Sequence, residues 1–321
     1  MTVGAPVIVT LTPNPSLDRT IEIAELERGE VLRASASRVD PGGKGVNVSR
    51  VLAAHSVSTV AIVAAGGPEG AQLADLLAPA GIPVVTVPLR RATRSNIALV
   101  EPDGTTTKVN EAGPTLSDDE VATMSERVAA VSASADWVVL SGSLPCGVSP
   151  SYYADLVRRA QTLGCRVAVD TSGAPLAAAV AATPDLIKPN TAELAELTGA
   201  SLLTWGDVVK NAEALHHDGI ATVLVSLGED GALLVDGDGT RWASAPAAEV
   251  RSTVGAGDST LAGFLAAGAR GDQALRSAVA FGAAAVALPG SAMPEPGDVH
   301  PDHVVVHDTP DPSRPLREAV T

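Results

Sequence analysis

Apolar and β-branched residues fall along the chain in short runs, with longer stretches of helical spacing between them. The runs are "PVIVTLT" 6–12, "VSTVAIVAAGG" 57–67, "DWVVLSGS" 136–143, "CRVAVDTS" 165–172, "DLIKPN" 185–190 and "TVLVSLG" 222–228. Nearly continuous apolar runs of this length suit strands covered on both faces. The intervening segments, such as "DDEVATMSERVAAVSA" 118–133 and "PSYYADLVRRAQTLG" 150–164, are amphipathic and open on Ser, Asp or Pro, as helices do. Alternation of strand and helix predicts a layered α/β fold around a mostly parallel sheet.

Two regions break that alternation. Residues 18–40 and 94–110 read as alternating strands, the second with Asp103-Gly104 at a hairpin turn. They predict either a small antiparallel β-lid projecting over a site or ordinary surface hairpins. The tail from about 291, rich in Pro, Asp and His, reads as irregular in part, and no solenoid-length repeat stands out.

At 321 residues and 45% hydrophobic, the chain can bury a large core, as one big α/β domain or two smaller ones. A formal charge of −15 repels polyanions, so neither nucleic acid nor an anionic membrane surface is an expected partner. A phosphorylated ligand would need a local basic pocket. Two cysteines, Cys146 and Cys165, support no disulfide framework and no thiolate metal site, which fits a reducing cytoplasm. The opening "MTVGAPVIVTLTPNPSLDRT" has no basic leader and reaches Pro13 early, so no signal peptide is expected. The longest apolar run, "AVAFGAAAVAL" 278–288, is too short to span a bilayer.

The candidate chemistry starts in "STVGAGDSTLAGFLAAG" 252–268. Leu261, Phe264 and Leu265 follow at helical spacing, so Gly255, Ala256 and Gly257 sit at a helix N-terminus with unpaired amides, and Asp258 lies beside them. Such amides attract an anion, and a carboxylate next to them is in reach of a substrate hydroxyl. That pairing suits phosphoryl transfer, which depends on positioning and charge stabilisation. The alternative is a plain glycine turn with Asp258 as cap. In "DPGGKGVNVSRVLAA" 40–54, Gly42, Gly43 and Gly45 surround Lys44, and a helix is expected from near Asn47. Backbone approach, a cation and an amide converge there on a polar or phosphorylated ligand, or else the segment is a turn with a solvated lysine. It does not satisfy the Walker pattern.

Asp18 in "TPNPSLD" lies just beyond the first strand, placed to grip sugar hydroxyls or serving as a turn residue. In "DLIKPNTAELAEL", Asn190 and Glu193 either orient a hydrated Mg²⁺ or form a helix-capping pair. "VSLGEDGALLV" 225–235 offers Ser226 and Gly228 to a nucleotide, unless its glycines only shape a hairpin. The histidines match no metal motif, and neither G-x-S-x-G nor H-E-x-x-H is present.

Taken in order, "TPNPSLD", "PGGKGVN", "SGSLPCGV", "KPNTAEL", "VSLGEDGALLV" and "STVGAGDSTLAGF" resemble the signature of the phosphofructokinase B branch of ribokinase-like sugar kinases, over about residues 7–290. Within it the chain is most similar to the 1-phosphofructokinase and tagatose-6-phosphate kinase group. The resemblance implies a ribokinase-like α/β fold, read as a single kinase domain over 1–321: a Rossmann-like sheet flanked by helices, with a β-lid that often clasps a homodimer. It implies ATP and Mg²⁺ as cofactors and a sugar phosphate as substrate. Asp258 matches the catalytic base, and Gly255, Ala256 and Gly257 match the anion hole. Asp18, Gly42, Gly43 and Asn47 match sugar-binding positions. Lys44, Arg94 and, more loosely, Arg33 match basic groups near the substrate's existing phosphate, with Ser141 or Ser143 lining that pocket. Lys188, Asn190, Glu193, Ser226, Gly228 and Thr253 match positions around ATP and its magnesium, with Asn190 and Glu193 acting through water. The implied reaction is fructose 1-phosphate to fructose 1,6-bisphosphate. Tagatose-6-phosphate or 6-phosphofructokinase activity is the alternative, and a catalytically silent sugar-phosphate sensor is the reading from another class. Cys146, where relatives often have proline, and the absence of an adenine signature in "LPGSAMPEPGDVH" depart from the pattern.

Overall fold

The computed structural model describes residues 7–246, 249–308 and 311–320. The strand expected at 6–12 begins at Pro6, outside the described residues, and is observed as β1 (Ile8–Thr12). A lid pair follows, β2 (Ser16–Glu22) and β3 (Ala36–Gly42), then α1 (Lys44–Ala54), β4 (Thr59–Ala65), α2 (Gly67–Leu77) and β5 (Val84–Pro88). The second lid pair is β6 (Arg94–Val100) and β7 (Thr106–Asn110). Next come α3 (Asp118–Ser132), β8 (Trp137–Ser141), α4 (Tyr152–Thr162), β9 (Arg166–Asp170), α5 (Gly173–Val180), β10 (Leu186–Ile187) and α6 (Thr191–Thr198). The chain continues through β11 (Leu202–Thr204), α7 (Trp205–His217), β12 (Thr222–Ser226), β13 (Ala232–Asp236), β14 (Gly239–Ser244), α8 (Ala256–Ala266) and α9 (Gly271–Val286). It ends in β15 (Val305–His307) and β16 (Pro315–Val320).

Ten strands form the main sheet in the order β15-β14-β13-β12-β10-β9-β8-β1-β4-β5. Strands β5 through β12 in that order pair in parallel, and β13, β14 and β15 extend the edge in antiparallel fashion. Alternate residues of each strand feed opposite cores. Val9, Leu11, Val138 and Leu140 pack with side chains of α3 to α7, while Ile8, Trp137 and Val139 pack with α1, α8 and α9. This is the period-two partition of a sheet covered on both faces, and it explains why the strands read as continuous apolar runs. Helix α8 is buried from Asp258 to Leu265, packed between α1 and α9.

The lid is a four-stranded sheet in the order β3-β2-β6-β7. Each hairpin half is antiparallel, and the halves meet through a parallel β2–β6 pairing. Only the ends of the 18–40 region are strand; 23–35, with its run of charged residues, is an exposed loop. The tail is not wholly irregular: β15 joins the main sheet and β16 pairs with β11. No helix among the described residues is long and apolar enough to cross a membrane.

Strand order fixes where a ligand can sit. The chain steps from β1 to β4 on one side and later to β8 on the other, so the crevice opens beyond the carboxyl end of β1. Along this edge stand the segments after β1, β8, β9, β10 and β12, and the first turns of α1 and α8 face one another over it.

Candidate active site

The two glycine turns meet at one point. Helix α1 begins at Lys44 rather than near Asn47, because Gly43 adopts φ 118° as its cap, and this puts Asn47 in the first turn. From there Asn47 Nδ2 donates to Asp258 Oδ2 at 2.8 Å. Asp258 is the third residue of α8, after the left-handed cap Gly255. Its position leaves the first amides of α8 without helical acceptors, beside a carboxylate whose Oδ1 has no side-chain partner among the described residues. Lys188 Nζ lies 3.2 Å from where a Cβ on Gly257 would stand, so the bare glycine leaves room for an ammonium at the helix mouth.

A residue outside the sequence expectations organises these charges. Asp170, at the carboxyl end of β9 and fully buried, accepts from Lys44 Nζ at 2.8 Å and pairs with Lys188 Nζ at 3.3 Å. Burial opposes its charge, but the two ammonium groups overcome that and hold its pKa below the usual carboxylate range. Burial likewise works against Lys44, yet Asp170, Asp258 and Glu193 raise its pKa. Asp258 goes the other way. Burial first, and then repulsion from Asp170, lift it from 3.8 to about 6, against the pull of Lys44, Asn47 and Lys188. The site thus holds one carboxylate locked in its charged form and one whose basicity is elevated, the separation that general-base chemistry requires.

Toward β1 and the lid, Asp18 projects from β2 and its Oδ1 accepts from Ser16 Oγ at 2.7 Å and Asn96 Nδ2 at 2.9 Å. Its carboxyl group rests on Gly42, where a Cβ would collide with Cγ and both oxygens. Arg94, the first residue of β6, donates to the main-chain oxygens of Asn14 and Glu111. Burial lowers its pKa, opposed by Asp18 and Glu111. Ser143 is exposed and accepts from Asn14 Nδ2 at 3.3 Å.

The remaining candidates fall in several places. Lys44 does not join Arg94; its ammonium pairs with Asp170 instead. Arg33 lies exposed in the 23–35 loop with no ion pair among the described residues, since no strand holds that segment against the cleft. Ser141 is sealed in the sheet with its Oγ unpaired, leaving Ser143 as the serine near the cleft. Asn190 and Glu193 form the reciprocal capping box of α6, at 2.8 and 2.9 Å. Ser226, bridged to Asn190, and Gly228 bracket the end of β12, and Thr253 is exposed just ahead of α8. Besides Asp170, the sequence reading passed over Asn14 and Asn96. Asn14 lies inside TPNPSLD and Asn96 two residues after Arg94, and Asp170 carried one signal, an acid closing the apolar VAV run of β9.

The fold is a layered α/β sheet with a cleft at the carboxyl ends of its strands, and sequence comparison supplies the class. The pfkB family carbohydrate kinase profile matches residues 12–297. A 1-phosphofructokinase of Rhodobacter capsulatus is 39% identical over 90% of this chain and 93% of its own. An ATP-dependent 6-phosphofructokinase isozyme 2 of Escherichia coli is 38% identical over 88% and 94%. Among solved structures, phosphofructokinase-2 from Escherichia coli in complex with potassium superposes with a TM-score of 0.87 at 37% identity, over 91% of this chain and 96% of that one. The chain belongs to the pfkB family of carbohydrate kinases, with a ribokinase-like fold. Kinases of this family use ATP with Mg²⁺.

Proposed function

We propose that this single-domain kinase transfers the γ-phosphoryl group of ATP to fructose 1-phosphate, forming fructose 1,6-bisphosphate. The observation that carries the reading is the Asn47–Asp258 contact, which sets an elevated carboxylate base beside the first amides of α8, where Ala256 N–H makes only a long bond of 3.4 Å to Thr253 O. Asp258 accepts the proton of the sugar's primary hydroxyl as that oxygen attacks the γ-phosphorus in line, and ADP departs. The amides of Gly255, Ala256 and Gly257, with Lys188, hold the charge developing on the transferred group. Asp18 and Asn47 orient the sugar, and Arg94 takes its existing phosphate, for which a guanidinium fork is suited.

The residues fit Mg²⁺ held through water. After the capping bonds, Glu193 Oε1 remains without a hydrogen-bond partner, and the buried Asp170 Oδ2 has only the long ion pair with Lys188. The ion would supply neutralisation of the phosphate charge. Lys188, Asn190, Ser226 and Gly228, after β10 and β12, and Thr253, ahead of α8, take the ATP. Closure of the lid would exclude water from the phosphoryl group. Exposed Leu26, Val31 and Val109 on the lid support a homodimer clasped through that sheet. Free thiols at Cys146 and Cys165 support a cytoplasmic location.

The similarity to a 6-phosphofructokinase favours fructose 6-phosphate as the second reading. Initial rates with fructose 1-phosphate, fructose 6-phosphate and tagatose 6-phosphate decide between them. The highest kcat/KM is expected with fructose 1-phosphate. A preference for either 6-phosphate ester would overturn the substrate, and absence of turnover with all three would overturn the reaction.

A further inference from the structure

Asn14 is 5% exposed and links the end of the lid, the segment after β8 and Arg94. Its Nδ2 donates to Ala112 O, just past the last lid strand, at 3.1 Å, and to Ser143 Oγ, beyond β8, at 3.3 Å. Its own carbonyl accepts from Arg94 Nε at 3.3 Å and Nη2 at 3.2 Å, while Glu111 O takes Nη1 at 2.8 Å. A guanidinium has five N–H donors. Three are used in these bonds, which leaves one free on each terminal nitrogen, the pair a phosphate group accepts. Pro13 and Pro15 flank Asn14, so its backbone is confined to extended conformations and its carbonyl is a stiff anchor. Its Oδ1 is buried without a hydrogen-bond partner and lies where it would collide with a Cβ on Gly113, so the lid end closes tightly over the amide.

We infer that Asn14 is the positioning residue of the substrate-phosphate pocket: its main-chain carbonyl holds one side of Arg94, and its side-chain amide ties Ala112, next to the Glu111 carbonyl that holds the other side, to the Ser143 loop, leaving two guanidinium donors for the ester. This rests on the reading that the substrate carries a phosphate. Asn14 itself needs no contact with substrate. Its loss would be felt in affinity for the phosphate end, with the nucleotide end untouched.

The test compares wild type with Asn14→Ala and the milder Asn14→Ser, using fructose 1-phosphate and unphosphorylated fructose as acceptors, with melting temperature recorded. For Asn14→Ala, which keeps the main-chain carbonyl but releases Ala112 and with it the neighbouring Glu111 acceptor of Arg94, the KM for fructose 1-phosphate is expected to rise about tenfold. KM for ATP should stay within about twofold, and the preference for the ester over free fructose should fall by about the same tenfold factor. Asn14→Ser, which keeps one donor, should fall between the two and covers the case in which the alanine variant does not fold. A lowered melting temperature with the ester preference intact would overturn the inference, because a merely structural brace would act so. A parallel rise in both KM values would overturn it equally. A wild type indifferent to the phosphate of its acceptor would instead refute the sugar-phosphate reading, and the inference with it.

Discussion

Replacing Asp258 by Asn should abolish catalysis and, at neutral pH, make the protein more stable. The side chain keeps its size, and its amide oxygen can still accept from Asn47 Nδ2. What disappears is a carboxylate that burial and Asp170 push from 3.8 to about 6. A shift of about 2 pH units corresponds to about 3 kcal/mol, at about 1.4 kcal/mol per unit. The sign follows from proton uptake. Between pH 3.8 and about 6 the folded state holds the Asp258 proton while the unfolded chain has released it, so wild-type stability falls as pH rises through that window. The amide of the variant does not titrate there. The stability difference should therefore be near zero at pH 4, grow toward pH 6 and level off above it at up to about 3 kcal/mol. Urea titrations of both proteins from pH 4 to 8 measure this directly. Turnover of the variant should be nearly undetectable while ATP affinity by calorimetry is largely kept, and wild-type kcat/KM should fall as pH drops through about 6. A stability difference independent of pH would refute the burial argument, and near-normal turnover would refute the base.

Asp170→Asn strips Lys44 and Lys188 of their shared counter-ion; the expected cost is about 3 kcal/mol in urea unfolding. Because Asp170 helps raise the Asp258 pKa, the acidic limb of the rate profile should also move to lower pH, and an unmoved limb would count against that coupling. Gly42→Ala forces a Cβ into the Asp18 carboxyl group, so KM for the sugar phosphate should rise about tenfold with KM for ATP unchanged. Arg314 binds the buried Asp230 at 2.6 Å and stacks over Trp205, so Arg314→Met should lower unfolding stability by about 2 kcal/mol, read in the same titration. No change would show that the C-terminal strand does not depend on that anchor.

Much of this protein is local information. The apolar runs that became β1, β4, β8, β9 and β12 match their strands closely, because a parallel strand buried on both faces admits little else. The helix at 118–132 follows directly from its Ser117 cap and its period. The GAGD turn is equally legible, since glycine followed by an acid and an apolar repeat already describes an open helix mouth.

Partnership across the chain was left to tertiary structure. The bond joining Asn47 to Asp258 spans 211 residues, and that joining Lys44 to Asp170 spans 126. Nothing in the pattern around Lys44 says whether its flexible stem turns toward Arg94 or toward Asp170; the order of β1, β8 and β9 in the sheet decides it. The same order set Asp170 among the charged groups and sealed Ser141, while Arg33 stays in solvent because no strand holds its loop. Local patterning determined which backbone each segment would form and where the reactive groups stood along it. Only the folded sheet, by bringing the carboxyl ends of distant strands to one edge and excluding water there, decided which of those groups face each other and how strongly their charges are felt.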